Sequence, residues 1–401
     1  MGKMERVFSS YHPLVWTLLI GTGFSRIAIF MSLPFMAIYL HEQGLSPFLI
    51  GLVIGAGPLC ATFGGFIGGY LSDRLGREKI MLGALFVWSG VFMGFSFTSE
   101  AWIFLMLNIL NGLCSSFFEP TGQALMADLT PQKMRRRMFG YRYFAINVGG
   151  ALGPILGAVL TSTSASLAFL ITGLSFFVYM LALMVMMKRY HTNEREETER
   201  VTLTRAINVL RKDVKFRYFI LGAILFIIGF SQLHSNLSLY INQESENATW
   251  IYPMLISGNA IIVILLQIPL TRWTEKWPVV RNMTLGTSLL ALGLFCFGMA
   301  GHWAWFVIGL LWFTIGEILV FPTSSVFIDQ LAPPALRGTY FGAASFQRIG
   351  NFLGPVLGGW LLQYLGGFTM FSIISMCTLV AIVCYRKGAK LHQNVLLAKS
   401  A

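Results

Sequence analysis

Two carboxylates and three guanidiniums lie inside stretches that are otherwise apolar: Glu119 and Glu317, with Arg26, Arg142 and Arg348. A charge placed in hydrocarbon is costly, so each is by default a site of function or one half of a pair. Their numbers suggest pairs, Glu119 with Arg142 or Arg26, and Glu317 with Arg348. A carboxylate in such a place loads or releases a proton when desolvation and a nearby cation pull its affinity in opposite directions. Glu317, about midway along its apolar run, is the better proton carrier on depth. Glu119, near one end of its run and followed by Pro120, is the better gate element, and a permanent ion pair fixing helix packing is the alternative. His234, beside Gln232 and Asn236, adds a third titratable group, either a satisfied polar residue or a proton relay.

These groups must be held by helices that cross a bilayer. Of 401 residues 55% are hydrophobic and only 11% charged, against about 25% charged in ordinary soluble domains. Windows of roughly 20 apolar residues, enough to span hydrocarbon as helix, begin near Pro13, Phe48, Ile80, Ala101, Met138, Ser166, Phe216, Trp250, Met283, Trp303, Thr339 and Gly367. They are too long for barrel strands of about 9–11 residues. The net charge of +12 falls on alternate loops: Lys3 and Arg6, Arg74 to Lys79, Lys133 to Arg137, Lys188 to Arg217, Arg272 to Arg281, Arg337, and the tail from Arg386. The intervening turns at His41–Gln43, Ser99–Glu100, 161–165, Gln243–Thr249, Gly301–His302 and Gly366 hold no Lys or Arg. By the positive-inside rule both termini are then cytoplasmic, and the basic excess orients the chain rather than binding nucleic acid. Cys60, Cys114, Cys296, Cys377 and Cys384 fall within spans at no metal-like spacing. The first span carries no cleavage pattern and is expected to be retained.

The two halves echo each other. Adding 202 carries Asp73-Arg74 onto Glu275-Lys276, Pro120-Thr121 onto Pro322-Thr323, Pro131 onto Pro333, Arg135 onto Arg337 and Phe139-Gly140 onto Phe341-Gly342. An offset of 201 then carries Gly153-Pro154 and Gly157 onto Gly354-Pro355 and Gly358. An even number of spans separates equivalent sites, so the repeats are parallel, related by an axis along the membrane normal, with a substrate site expected at the midplane between them. The polar stretch between the halves carries Leu203, Ile207 and Leu210 at helical spacing, the pattern of a surface-lying amphipathic linker or a solvated connector.

Two motifs carry a family resemblance. Gly69-Tyr70-Leu71-Ser72-Asp73-Arg74-Leu75-Gly76-Arg77 fills a very short charged turn between the second and third spans. It resembles the cytoplasmic signature of the major facilitator superfamily of transporters. The fifth span reads Gly149-Gly150-Ala151-Leu152-Gly153-Pro154-Ile155-Leu156-Gly157-Ala158. That is similar to the glycine-proline motif which the family's exporters carry there, and the eleventh span repeats it at Gly350–Gly359. Physically, Pro154 removes a backbone donor and the glycines permit a kink and close contact. The resemblance implies a gating role for Gly69, Asp73, Arg74, Gly76, Arg77 and Arg142, with Asp73 facing the N-terminal end of the eleventh span near Gly338–Tyr340. There are two departures. Glu78 stands where the family usually has a base, and Asn108 occupies the position of a fourth-span arginine found in many proton-coupled drug exporters.

The expectation is an all-α integral membrane protein of twelve transmembrane helices in two pseudo-symmetric six-helix bundles, residues 1–190 and 216–401, joined by a cytoplasmic linker at 191–215. The resemblance implies a monomeric transporter in the cell inner (plasma) membrane that exchanges protons for hydrophobic or cationic drug-like compounds by alternating access. Proton coupling falls to Glu317, Glu119 and His234. A cavity is expected near Arg26, Asn108, Asn147, Gln347, Arg348 and Asn351, with Phe24, Phe30, Phe35, Trp312, Phe313 and Phe346 near these polar sites. Lipid-facing belts account equally well for most of those rings. Protons, membrane lipids and a small-molecule substrate are the partners; no cofactor, metal or enzymatic nucleophile is expected. The rivals are a carrier of sugar, amino acid, metabolite or lipid on the same fold, possibly by symport, and a receptor or scaffold that no longer transports.

Overall fold

The computed structural model describes residues 11–33, 36, 39–40, 43–44, 47–161, 165–190, 203–244, 248–299 and 303–400. Lys3, Arg6, Phe35, His41, Glu42, His302 and the charged stretch Arg195–Arg200 lie outside the described residues. Among those described, every regular element is helical. The first half contributes α1 (Pro13–Ser32), α2 (Pro47–Leu75), α3 (Arg77–Ser96), α4 (Ala101–Asp128), α5 (Arg135–Thr161) and α6 (Ala165–Arg189). A short helix, α7 (Leu203–Lys212), follows with its apolar residues on one face. The second half contributes α8 (Val214–Ser231), α9 (Asn236–Glu244), α10 (Ala248–Trp273), α11 (Val279–Gly298), α12 (Trp303–Leu331), α13 (Arg337–Ala343) and α14 (Ile349–Ser400).

Helix starts follow local chemistry. Pro13 opens α1 behind His12, whose ring accepts from the Leu14 amide. Asp213 caps α8 by accepting from the Phe216 amide at 3.1 Å. Gly76 separates α2 from α3 at φ 97°, a backbone region that L side chains rarely adopt, so this one-residue turn needs glycine. Among the described residues eleven helical runs are long and apolar enough to cross a bilayer. The last, Pro334–Leu391, has 58 residues and turns at Gly366 (φ 75°), so it crosses twice and the chain makes twelve crossings.

The contacts divide the chain into two compact units, one holding residues through 206 together with Ala332–Ser345, the other Ile207–Leu331 with the residues from Phe346 on. The start of the eleventh crossing therefore packs in the first unit, on α2 and α4, although it belongs to the second half of the sequence.

Within each unit the pairings repeat. In the first, α1 packs on α5, α2 on α4 and α3 on α6; in the second, α8 packs on the start of α14, α10 on α12 and α11 on the end of α14. One hydrogen bond recurs with donor and acceptor exchanged: Ser89 Oγ donates to Gly173 O at 2.8 Å, and 202 residues later Ser375 Oγ donates to Ala291 O at 2.7 Å. That exchange is what parallel duplication followed by divergence leaves behind.

Among the described residues two crossings are broken where an unbroken helix is expected. The seventh passes from α8 through a 3₁₀ turn at Gln232–His234 into α9, and the eleventh from α13 through a 3₁₀ turn at Ala344–Arg348 into α14. In the seventh, Ser231, Gln232, Ser235 and Asn236 supply side chains that bond carbonyls or one another. Such groups satisfy a backbone that has left the α pattern.

Candidate functional site

In the first unit, α1, α4 and α5 bring Arg26, Glu119 and Arg142 to one pocket, walled by Trp88, Phe118 and Tyr179. Arg26 Nη2 donates to Glu119 Oε1 in an ion pair whose side chains are mostly buried. Trp88 stacks on Phe176 with centroids 4.5 Å apart, and Phe118 lies edge-on to Tyr179 at 5.8 Å. The Tyr179 hydroxyl is buried without a hydrogen-bond partner among the described residues. The pocket thus offers one carboxylate, two guanidiniums and an unused hydroxyl between aromatic walls. Of the rings expected near the polar sites, Phe313 is fully buried core stacked on Phe230, and Phe24 is exposed. Trp88, Phe118 and Tyr179 were not singled out, because in sequence they are indistinguishable from lipid-facing aromatics.

The glycines of the fifth span explain how Arg26 is positioned. A Cβ at Gly149 would stand 2.4 Å from Arg26 Cβ, and one at Gly153 would stand 2.5 Å from Phe30 Cβ, so α5 lies directly on α1. Gly157 continues this buried side, and Pro154 lies within an α5 that stays helical. The second unit repeats the contact, with Gly350 against Ile227 and Gly354 against Ser231. Gly153→Val is expected to lower stability by about 1–3 kcal/mol through overpacking, read as a lower unfolding temperature in detergent. An unchanged temperature would contradict the close contact.

Glu317, only 2% exposed, lies on α12 in the second unit and accepts from Asn259 Nδ2 at 2.9 Å; the same amide group lies 2.9 Å from Thr314 Oγ1. Asn259 is a residue that the sequence reading missed; its signal was one of two amides, with Gln267, in the otherwise apolar eighth span. At the equivalent crossing of the first unit Gly57 touches Gly112, so the polar pair Asn259–Thr314 replaces two glycines. Arg348 sits half-buried in the 3₁₀ break of the eleventh crossing and not within a helix.

Asn108 does not line the pocket around Arg26. It is 3% exposed, donates to the Val53 and Ile54 carbonyls at 2.6 and 3.2 Å, and accepts from Asn111, which in turn accepts from Trp88 Nε1. Its amide is spent holding α4 on α2. Asn147 donates to Tyr143 O at 2.9 Å; Gln347 is half-buried, and Asn351 and His234 are exposed, the latter edge-on to Phe230.

The Gly69–Arg77 motif forms a dock for α13. Asp73 accepts from the Gly338 amide at 3.0 Å, the Thr339 amide at 2.7 Å and Thr339 Oγ1 at 2.8 Å, a carboxylate at a helix N-terminus. Gly69 allows the approach, since a Cβ there would stand 2.0 Å from Gly338 O. Arg77 bridges Asp73 at 3.5 Å and Asp128 at 2.8 Å, and Asp128 also holds Arg337. Arg74 is exposed and donates to Tyr70 OH. Asp128 was overlooked, although its place before Pro131 and Arg135 is echoed by Asp329 before Pro333 and Arg337.

Twelve apolar crossings in two repeated units, with charged groups held inside the spans, define a polytopic membrane transporter. The Major Facilitator Superfamily model matches residues 18–348. The chain belongs to that family. It is 36% identical over 378 residues to the uncharacterized MFS-type transporter YqjV of Bacillus subtilis (strain 168), covering 92% of each chain. It is 27% identical to a Na(+), Li(+), K(+)/H(+) antiporter of Planococcus maritimus, covering 88% of this chain and 92% of that protein. Its fold matches the human organic anion transporter MFSD10 (TETRAN) at a TM-score of 0.75 and 17% identity, over 93% of this chain and 100% of that one.

Proposed function

We propose that this transporter is a proton-coupled antiporter of the cell inner membrane, its termini cytoplasmic, which exports hydrophobic or cationic drug-like compounds by alternating access. The observation that carries the reading is the Arg26–Glu119 pair in an aromatic pocket. A proton on Glu119 releases Arg26, and a cationic cargo competes with both for the same carboxylate. One acid that takes either proton or cargo is the minimal chemistry of exchange. Trp88, Phe118 and Tyr179 wall this pocket closely, and once alternating access opens it they would meet an apolar cation by dispersion and cation–π contact. Glu317 is the second protonatable acid in this scheme. The relative from Planococcus maritimus, named a cation/proton antiporter, supports exchange against protons. A second reading, carriage of an organic anion, is favoured by the pocket's two guanidiniums against one carboxylate.

In everted vesicles with an imposed proton gradient, cationic dyes are expected to accumulate and to release protons. Glu119→Gln and Glu317→Gln are each expected to lose the proton release. Dye transport without proton flux would refute antiport, unchanged exchange in Glu119→Gln would refute the site, and uptake of anionic dyes alone would establish the second reading.

A further inference from the structure

We infer that the turn between α10 and α11 is a binding surface for the headgroups of anionic phospholipids. It is the second repeat's copy of the motif that docks α13 in the first, and its docking parts are gone. At the 202-residue offset Gly65 and Gly69 become Gln267 and Thr271, and Arg77 becomes Val279. Gln267 and Thr271 are both buried and joined by a 2.9 Å hydrogen bond, so side chains fill what was a glycine groove. Of the docking residues only the acid survives, as Glu275, while the flanking bases Arg74 and Lys79 persist as Lys276 and Arg281.

Other chemistry stands in its place. Leu71 and Leu75 are replaced by Trp273 and Trp277, Tyr70 by Arg272, and Lys79 by Arg281. The two indole rings lie 4.9 Å apart, and the Arg281 guanidinium sits 4.3 Å from the Trp277 ring. Trp273 is 66% exposed, and Arg272, Lys276 and Arg281 are exposed around it, while Glu275 is half-buried. Residues 274–278 join two spans directly, Ile251–Trp273 and Val279–Gly298, which places the cluster at the membrane–water boundary.

An indole is amphipathic and settles at headgroup depth. Three cations against one carboxylate attract phosphate, and the stacked guanidinium is held in one orientation by its ring. A zwitterionic headgroup brings its own cation into this cluster, whereas an anionic one does not. The occupant is therefore an anionic lipid such as phosphatidylglycerol, in the leaflet that the basic loops face.

The test is native mass spectrometry of the full chain titrated with phosphatidylglycerol or phosphatidylcholine in micelles, reading the apparent Kd of the first bound lipid. The wild type is expected to bind phosphatidylglycerol more tightly. Arg272→Gln/Lys276→Gln/Arg281→Gln is expected to weaken that binding on the order of tenfold or more. Arg386→Gln/Lys387→Gln/Lys390→Gln removes the same charge from exposed positions on α14 and is expected to leave it unchanged. Equal losses in the two variants would mean that only total charge matters and would overturn the inference. So would a wild type without lipid preference, or displacement of the lipid by equimolar glycerol phosphate. If the triple variant does not fold, Arg281→Gln alone carries the same comparison.

Discussion

Asp73→Ala is expected to undock α13, raising amide exchange across Gly338–Ala343 by on the order of 10²–10⁴-fold, the equivalent of about 3–5 kcal/mol. The Asp73 side chain is fully buried and accepts three hydrogen bonds from Gly338 and Thr339 while pairing with Arg77. Its removal strands the two amides, the hydroxyl and one face of a guanidinium together. About 5.5 kcal/mol takes a two-state equilibrium from 1:99 to 99:1, so this one residue comes close to deciding whether the segment is docked. Gly69→Val reaches the same end by sterics alone, because its Cβ would meet a backbone oxygen that has no room to yield. Arg74→Gln, at an exposed position bonded to Tyr70, is the control and is expected to change exchange little. If Asp73→Ala left the exchange of Gly338–Ala343 at wild-type rates, the docking role would fail. If the segment must release during transport, both disruptive variants also lower transport, and substrate affinity changes less than the populations of states.

Arg26→Met is expected to lower stability by at most about 3–5 kcal/mol, since it takes from the mostly buried Glu119 carboxylate the guanidinium it pairs with and leaves Arg142 as the other cation of the pocket. Arg26→Met/Glu119→Leu is expected to recover most of that loss, because an apolar pair of similar volume removes the desolvation penalty from both sides. Transport behaves differently in the two cases. A merely structural pair predicts that the double variant regains transport with stability, whereas an exchange site predicts that it stays inactive. Unfolding temperatures with dye uptake in the same preparations separate these outcomes. Recovery of both together would reduce the pair to packing and remove the main support for proton exchange at Glu119.

Much of the fold was legible because the bilayer imposes a coarse rule. Each crossing needs about 20 apolar residues, and such runs survive a linear reading, as do prolines, glycines and arginines repeated at a fixed offset. The dock was legible in part: Asp73, Gly69 and the N-terminal end of the eleventh span were named from motif resemblance, but Asp128, the acid that joins Arg77 to Arg337, was not. The breaks in the seventh and eleventh crossings were hidden. Serines, glutamine and asparagine at helical spacing look the same whether they line a helix or satisfy a backbone that has left it. Asn108 was misjudged for a related reason: a buried amide in a span reads as cavity until its carbonyl partners on α2 are seen.

By itself, then, the sequence determined twelve apolar helices, their parallel repeat, the basic loops and the charges that do not belong in hydrocarbon, since hydropathy, spacing and charge are additive along a chain. Partnership is not additive. Only the tertiary structure decided that Glu119 takes Arg26, that Glu317 takes Asn259, and that α13 packs in the first unit. The first and the last of these depend on which faces glycine lets approach, at Gly149 against Arg26 and at Gly69 against Gly338, and the second on an amide that stands where the first repeat has a glycine; a close approach is a property of two helices at once.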